Sequence, residues 1–158
     1  MINIKSRVIV QHINEFKYSD VEGLIERVIG KKTFDRVVIK PNLCFFERIP
    51  GATTSPELVR YVTRYFSKIS KEVVVVESDA LLNTADEAFD NLGIRNVVVE
   101  ERGKVINLSS HYPNDYLNYI LPHDLFVNLP VLKTHEFALV TGAMKNMFGM
   151  EPDKKRIK

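Results

Sequence analysis

The sequence has a single cysteine and no tryptophan among its 158 residues. One cysteine excludes a disulfide within the chain, and it excludes an iron–sulfur cluster held by four thiolates of this chain alone. Chains without disulfides are typical of reducing compartments, so we expect a cytoplasmic protein. We interpret Cys44 as a small buried hydrophobe rather than a nucleophile, because no base stands beside it in the sequence.

Long apolar runs and an excess of one charge are also missing. No stretch approaches the roughly 18 apolar residues that a membrane-spanning helix needs, and residues 1–13 lack the apolar core of a signal peptide. The net charge is +2, from 22 basic and 20 acidic residues, which leaves no basic footprint for nucleic acid. We therefore expect neither a membrane nor a nucleic acid as a partner.

The sequence carries neither a Walker pattern nor a G-x-G-x-x-G pattern, so the two strongest nucleotide-binding signals are absent. His12, His111 and His123 stand in contexts without metal-ligand spacing, and we predict no metal site. The cofactor, if the protein uses one, is not identified by any motif.

Strand-like and helix-like segments alternate along the chain, which is the pattern of an α/β domain. Three β-branched runs are interpreted as strands, and an amphipathic helix pattern follows each of them. Capping signals precede these helices, at Ser19–Glu22, Ser55–Pro56 and Thr84–Glu87. The three predicted strands are residues 7–13, 36–43 and 71–79.

The segments Asn96–Glu100 and Lys104–Leu108 suggest a hairpin at a sheet edge, and residues 111–122 fit a short helix or a strand equally well. No linker or repeat divides the chain. We predict a single domain over residues 1–158, with a three-layer α/β fold. Its sheet is expected to be mainly parallel and doubly wound, with about five strands and an edge hairpin.

The stretch from Asp124 to Gly149 is the most informative part of the sequence. It begins with an apolar strand pattern, and its second half has Phe137, Val140 and Met144 at helical spacing. Lys133, Thr134 and His135 stand between the two patterns. We therefore predict a junction from strand to helix, with the helix beginning near Glu136 and its first-turn amides available to an anion.

Polar residues follow three of the predicted strands at the point where each strand ends. In a parallel sheet these ends meet at one edge, which is where open α/β folds bind ligands. Simpler interpretations stay open for single residues: Lys40 as a solvated strand end, Asn42 and Ser78 as turn caps, and Glu77 as the partner of a lysine. The three groups are Lys40 and Asn42, then Glu77, Ser78 and Asp79, then Lys133, Thr134 and His135.

Five motifs in the correct order resemble the domain-of-unknown-function family 362. They are Lys40–Leu43, Gly51–Pro56, Val74–Ser78, Asn128–His135 and Thr141–Gly149. Many members of that family look like fusions to a ferredoxin-type cluster module, whose cysteine motifs are absent here. Members also usually continue beyond the last motif, so this chain resembles the amino-terminal half of a longer family domain. The resemblance implies association with a missing second half, a redox partner or a second copy.

The leading hypothesis is a domain that binds a small carboxylate or phosphate in a crevice at the carboxyl edge, as part of an enzyme; the cluster-bearing relatives suggest an oxidoreductase. The alternative is a non-catalytic ligand-binding or protein-interaction module completed by another chain. The catalytic candidates are Lys133, His135 and Lys145. The ligand-binding candidates are Lys40, Asn42, Thr53, Thr54, Glu77, Ser78, Thr134 and Asn146.

Overall fold

The computed structural model describes residues 8–13, 16–43, 51–80, 83–121, 123–135 and 139–151. Its centre is a four-stranded sheet in which every pair of neighbouring strands is parallel, as predicted. The strands are β1 (Phe34–Pro41), β2 (Ser70–Glu77), β3 (Lys104–Asn107) and β4 (Leu125–Leu129), in the spatial order β3-β2-β1-β4. The two central strands are apolar without alternation because both faces of the sheet are covered.

Four helices cover the first face of the sheet: α1 (Tyr18–Ile29), α2 (Pro56–Ile69), α3 (Ala85–Asn91) and α4 (Ile94–Glu100). Val37 and Ile39 of β1 pack there with the buried rings of Phe66 and Phe89. Burial of each large apolar side chain contributes about 1.5–3 kcal/mol to stability. This face therefore holds most of the hydrophobic core.

A shorter layer covers the second face. It consists of α5 (Leu117–Ile120), which settles the ambiguous segment 111–122 in favour of a helix, and the 3₁₀ turn Leu108–His111. Val38, Val74 and Leu108 are buried in this second cluster. The predicted three-layer α/β architecture is confirmed.

Two of the three predicted capping signals act as predicted. The hydroxyl of Ser55 accepts from the Leu58 amide at the start of α2, and Thr84 begins α3 with a complete capping box. The signal at Ser19 does not, because α1 begins at Tyr18 and the Asp20 carboxylate accepts from the Lys17 amide.

The predicted edge hairpin over residues 96–108 is wrong. Its first segment lies within α4, where Ile94 and Val98 are one helical turn apart and both buried. Its second segment is β3, which pairs in parallel with β2. Three consecutive valines in α4 favour a strand by their β-branched side chains. The segment is nevertheless helical, because a helix buries one apolar face against the rest of the protein.

Two further predictions near the ends of the chain are wrong. Residues 8–13 belong to no strand, although the sequence pattern predicts one there. The predicted helix from Glu136 is replaced by an antiparallel pair, β5 (Lys133–His135) and β6 (Leu139–Thr141), followed by α6 (Ala143–Met147) and the 3₁₀ turn Phe148–Met150. Glu136 itself lies outside the described residues. Pairing with β5 draws the residues around Val140 into a strand, so the helix starts only after Gly142.

Glu101 gives the fold a measurable pH dependence. Arg64 of α2 donates to both carboxylate oxygens of Glu101, at 3.0 and 2.7 Å, and these hydrogen bonds lower the pKa of Glu101. A lowered pKa means that the folded state favours the ionised form, so the stabilisation is present above the ordinary glutamate pKa and is lost as the pH falls through the lowered value.

We expect Glu101→Gln to reduce the free energy of unfolding by about 0.5–1 kcal/mol at pH 7, the usual range for a partly exposed ion pair. The difference from wild type should shrink as the pH is lowered below 4. Urea denaturation at several pH values measures it. A difference that stays constant down to pH 2 would contradict the ion-pair explanation.

Candidate functional site

The most buried charged group lies at the carboxyl ends of the central strands. Lys40 is only 1% exposed, and its ammonium donates to the Glu77 carboxylate at 2.6 Å and to the Pro41 carbonyl at 2.7 Å. Glu77, the last residue of β2, also accepts from the amide of Ser78 at 3.0 Å. The ends of β1 and β2 are therefore joined by a buried ion pair.

Burying the Lys40–Glu77 pair on folding costs free energy, and removing only one of the two charges costs more. Moving each charge out of water costs several kcal/mol, which is recovered only when the partners satisfy one another with good geometry. Removing either partner alone leaves an uncompensated charge inside the protein. The pair therefore strongly constrains what can pack against it.

Asn146 of α6 connects this pair to β4. Its side-chain amide donates to Asn128 Oδ1 at 2.6 Å and to the Lys40 carbonyl at 3.2 Å, while its Oδ1 lies 3.4 Å from Lys40 Nζ. Lys40 and Asn128 are register partners in neighbouring strands, so both side chains reach the same face. Asn128 in turn donates to the Ala143 carbonyl at 2.9 Å. These bonds hold α6 across the ends of β1 and β4.

Gly149 brings the backbone into direct contact with the ion pair. A Cβ at this position would lie 3.0 Å from Glu77 Oε1 and 3.1 Å from Lys40 Nζ. The Ser78 hydroxyl donates to the carbonyl of Gly149, and it lies 3.3 Å from the carbonyl of Glu151. The segment from Asn146 to Glu151 therefore lies over the Lys40–Glu77 pair and is tethered to β2.

Thr54 joins the carboxyl ends of β1 and β4 on another side of the site. Its hydroxyl accepts from the Asn42 amide at 2.8 Å and donates to the Leu129 carbonyl at 2.7 Å. Its own amide donates to the Asn42 carbonyl at 3.0 Å. Thr54 is buried and its hydroxyl bonds the backbone, so it positions the loop 51–55 beside the sheet.

Lys133 reaches this loop from the hairpin of β5 and β6. Its ammonium donates to the Ala52 carbonyl at 2.6 Å, and the side chain is half-buried. Thr141 of β6 donates to the carbonyl of Val131 at 2.9 Å, which ties the base of the hairpin to the segment after β4. Lys133 therefore lies at the same edge of the sheet as Lys40.

The structure joins Lys40, Glu77 and Asn146 in one network and tethers Ser78 to the segment that covers it. Asn42 and Thr54 lie beside the network and are joined to each other by hydrogen bonds that involve the backbone of Asn42. Thr53 is half-buried and is the next residue after Ala52, whose carbonyl accepts from Lys133. Thr134 and Lys145 are exposed. The His135 side chain lies outside what the structure describes.

The predicted contribution of helix amides to an anion site is wrong. A strand, not a helix, follows Lys133, and the nearest helix in the chain, α6, has only five residues. A helix beginning near Glu136 therefore supplies no amides to an anion at this edge.

Three further residues belong to the site, although no sequence pattern was interpreted as placing them there: Asn128, Thr141 and Gly149. Asn128 carried a usable signal, because it is a polar residue inside the otherwise apolar strand Leu125–Leu129. No sequence signal marks Gly149 apart from its being a glycine. A glycine is favoured there because Glu77 and Lys40, from distant parts of the chain, lie close to its backbone.

A parallel sheet with polar side chains collected at its carboxyl ends defines an open α/β domain with a candidate ligand site. Residues 37–158 match the family described as Domain of unknown function (DUF362). The chain therefore belongs to the DUF362 family, and this range contains every residue of the network described above.

The chain is similar to the Thylakoid-associated protein sll1697 of Synechocystis sp., with 30% identity over 156 residues. The match covers 87% of this chain and 47% of that protein, so the chain spans about half the length of this curated relative. No solved structure matches the chain. Within the described part of the chain, no helix has the length and apolarity required to cross a membrane.

The buried ion pair predicts a specific pattern of stability. We expect Lys40→Met to lower the free energy of unfolding by about 3–5 kcal/mol, because Glu77 is left buried without its partner. The double variant Lys40→Met/Glu77→Gln should recover much of that loss, since glutamine is neutral and can still accept from the Ser78 amide. Chemical denaturation of both variants measures this. A double variant no more stable than Lys40→Met would contradict it.

The close approach of Gly149 predicts a second effect. We expect Gly149→Ala to destabilise the protein by about 1–3 kcal/mol, because the new methyl group meets an ion pair that cannot move apart cheaply. Gly23→Ala in α1 is the matched control, since a Cβ at Gly23 would meet nothing within 4 Å apart from its chain neighbours and the backbone of its own helix.

The control should be stabilising by about 0.5–1 kcal/mol, the usual gain from alanine in a helix. Thermal unfolding of both variants distinguishes the two cases. Equal shifts in the same direction would show that Gly149 is not in close contact with the pair.

Proposed function

We propose that this protein binds a small anion, a carboxylate or a phosphate, at the carboxyl edge of its sheet. The site lies between the loop 51–55 and the hairpin of β5 and β6. The observation that carries the proposal is Lys133, whose half-buried ammonium is held at 2.6 Å by the Ala52 carbonyl at this edge. A lysine fixed in this way presents a positive charge at low entropic cost to an incoming anion.

Lys40 does not supply the charge for the anion in our proposal. The charge of Lys40 is already compensated by Glu77 at 2.6 Å, and Asn146 and Gly149 pack over it. In our proposal the Lys40–Glu77 pair is a rigid base that fixes the ends of β1 and β2. Lys133 supplies the positive charge for the anion. The hydroxyl of Thr53, the residue after Ala52, supplies a hydrogen bond to the anion.

The loop backbone completes the proposed site. Thr54 holds the loop against Asn42 and Leu129, so its amides keep a defined position relative to the sheet. A preorganised loop loses little conformational entropy on binding, which favours affinity. His135 follows Lys133 by two residues in the same strand, and we propose it as a proton carrier or ligand contact there. We also propose a cytoplasmic location, because the chain has one cysteine and cannot form an internal disulfide.

Binding of inorganic phosphate and of small dicarboxylates tests the proposal. We expect Lys133→Ala to weaken binding at least tenfold, since a hydrogen bond to a charged group contributes about 1.5–3 kcal/mol. Wild-type affinity should also fall as salt is added, because the attraction is electrostatic. Isothermal titration calorimetry measures both effects.

Lys71→Ala is the control for a general loss of charge. Lys71 lies in β2 at the amino end of the sheet, where it pairs with Asp35 at 2.7 Å, so this variant should bind the anion like wild type. Lys145→Ala tests the exposed lysine of α6 and should reduce affinity less than Lys133→Ala. Equal affinity in wild type and Lys133→Ala, with unfolding unchanged, would overturn the proposed site.

A further inference from the structure

An apolar groove lies on the first face of the sheet, between α1, α2 and β4. Its volume is about 520 Å³, and small-molecule sites usually measure roughly 300–1,000 Å³. We call this space the β4 groove. The residues that line it include Leu24 and Val28 of α1, Leu58 of α2, and Leu125 and Val127 of β4.

The described residues that line the β4 groove offer almost no polar side chain. The exception is Asn128, whose amide is already used: it donates to the Ala143 carbonyl at 2.9 Å, and its Oδ1 accepts from Asn146 at 2.6 Å. A polar group placed among these side chains finds no side-chain partner to replace its hydrogen bonds to water, which costs free energy. The groove therefore favours an apolar group such as an aliphatic chain.

One end of the β4 groove adjoins the loop 51–55. Leu129 lines the groove, and its carbonyl accepts from the hydroxyl of Thr54 at 2.7 Å. Leu58, which also lines the groove, lies in the first turn of α2, directly after this loop. A wall from β4 and a wall from α2 therefore meet at the loop, at the carboxyl edge of the sheet.

A positive charge is held at the same loop. The ammonium of Lys133 donates to the carbonyl of Ala52 at 2.6 Å. Ala52 and Thr54 are two residues apart, so their Cα atoms are at most about 7 Å apart. Lys133 therefore lies beside the end of the groove where Thr54 bonds Leu129.

The apolar groove and the lysine at its end suit different parts of one molecule. A short polar anion can contact Lys133 but leaves the apolar walls in water. A hydrocarbon without a charged group can cover the walls but has no use for the lysine. An anion with an aliphatic chain satisfies both, because the chain removes apolar surface from water while the head group meets a fixed opposite charge.

We propose that the ligand of this protein is an amphipathic anion: a carboxylate or phosphate whose aliphatic chain lies in the β4 groove. The inference rests on the proposed function, because Lys133 contacts the head group in both. It adds the substrate class, which follows from the groove and not from the lysine.

Two pairs of probes that differ in chain length test this proposal: butyrate with decanoate, and butyl phosphate with decyl phosphate. All are used below the concentration at which the longer probes form micelles. In at least one pair we expect the longer probe to bind at least about tenfold more tightly, because several more methylene groups leave water. Isothermal titration calorimetry measures the affinities. Equal affinities within both pairs would overturn the proposal.

Backbone amide NMR locates the chain of the bound probe. The longer probe should shift amide resonances of β4 and of the loop 51–55, whereas the shorter probe should shift those of the loop alone. Tighter binding of the longer probe without shifts in Leu125–Leu129 would place its chain elsewhere and overturn the proposal.

Val28→Asn and Val99→Asn form a matched pair of variants without any change of charge. Both valines are exposed on helices, at 51% and 59%, but Val28 lines the groove and Val99 lies on α4 outside it. Val28→Asn should weaken binding of the longer probe at least about threefold, because a polar group enters the apolar wall, and should leave the shorter probe unaffected. Val99→Asn should bind both probes like wild type. Equal effects of the two variants would contradict a chain in the groove.

Lys133→Ala separates this proposal from the proposed function. It should weaken both members of a pair by a similar factor, because both present the same head group. If it weakens both members equally but chain length has no effect, the anion site stands and the amphipathic ligand is overturned. If the longer probe binds more tightly but Lys133→Ala changes nothing, the proposed function and this inference both fail.

Sedimentation velocity without any probe tests a second copy as the occupant. Our proposal predicts that the chain does not dimerise through the β4 groove. A dimer that dissociates in Val28→Asn but persists in Val99→Asn would assign the groove to a second copy and overturn the proposal.

Discussion

The ion pair between Lys40 and Glu77 is the interaction on which the carboxyl edge of this protein depends. It places two full charges in a site closed to water, where each requires the other. It also constrains the residues above it: a Cβ at Gly149 would lie 3.0 Å from Glu77 and 3.1 Å from Lys40, and Asn146 both accepts from the Lys40 ammonium and donates to the Lys40 carbonyl. The packing of the last described segment therefore follows from one pair of charges.

This constraint separates the residues that build the carboxyl edge from the lysine that we propose as the ligand contact. Lys40, Glu77 and Asn146 satisfy one another inside the protein, as buried polar groups must. Thr54 likewise uses its hydroxyl to join the ends of two strands. Lys133 differs because it approaches from a hairpin and lies over a loop. The buried network and the nearby lysine have different surroundings, although the sequence presents all of them as polar residues at strand ends.

The sheet is well covered at its centre, and its two outer strands, β3 and β4, each have a neighbour on one side only within the described sheet. β1 and β2 are buried by helices on the first face and by the shorter layer on the second. β4 has a neighbour only on the side of β1, and its groove is apolar.

The sequence by itself determined the α/β class, the two central strands, most helix caps and the gathering of polar residues at strand ends. These features depend on local patterns, such as the uninterrupted valines of β2 and the cap at Ser55. Tertiary structure decided the rest. The valines of α4 became helical because one face could be buried, and residues 139–141 became a strand because β5 was there to pair with them. That Lys40 meets Glu77 beneath Gly149 also depends on contacts between distant segments, which no local pattern encodes.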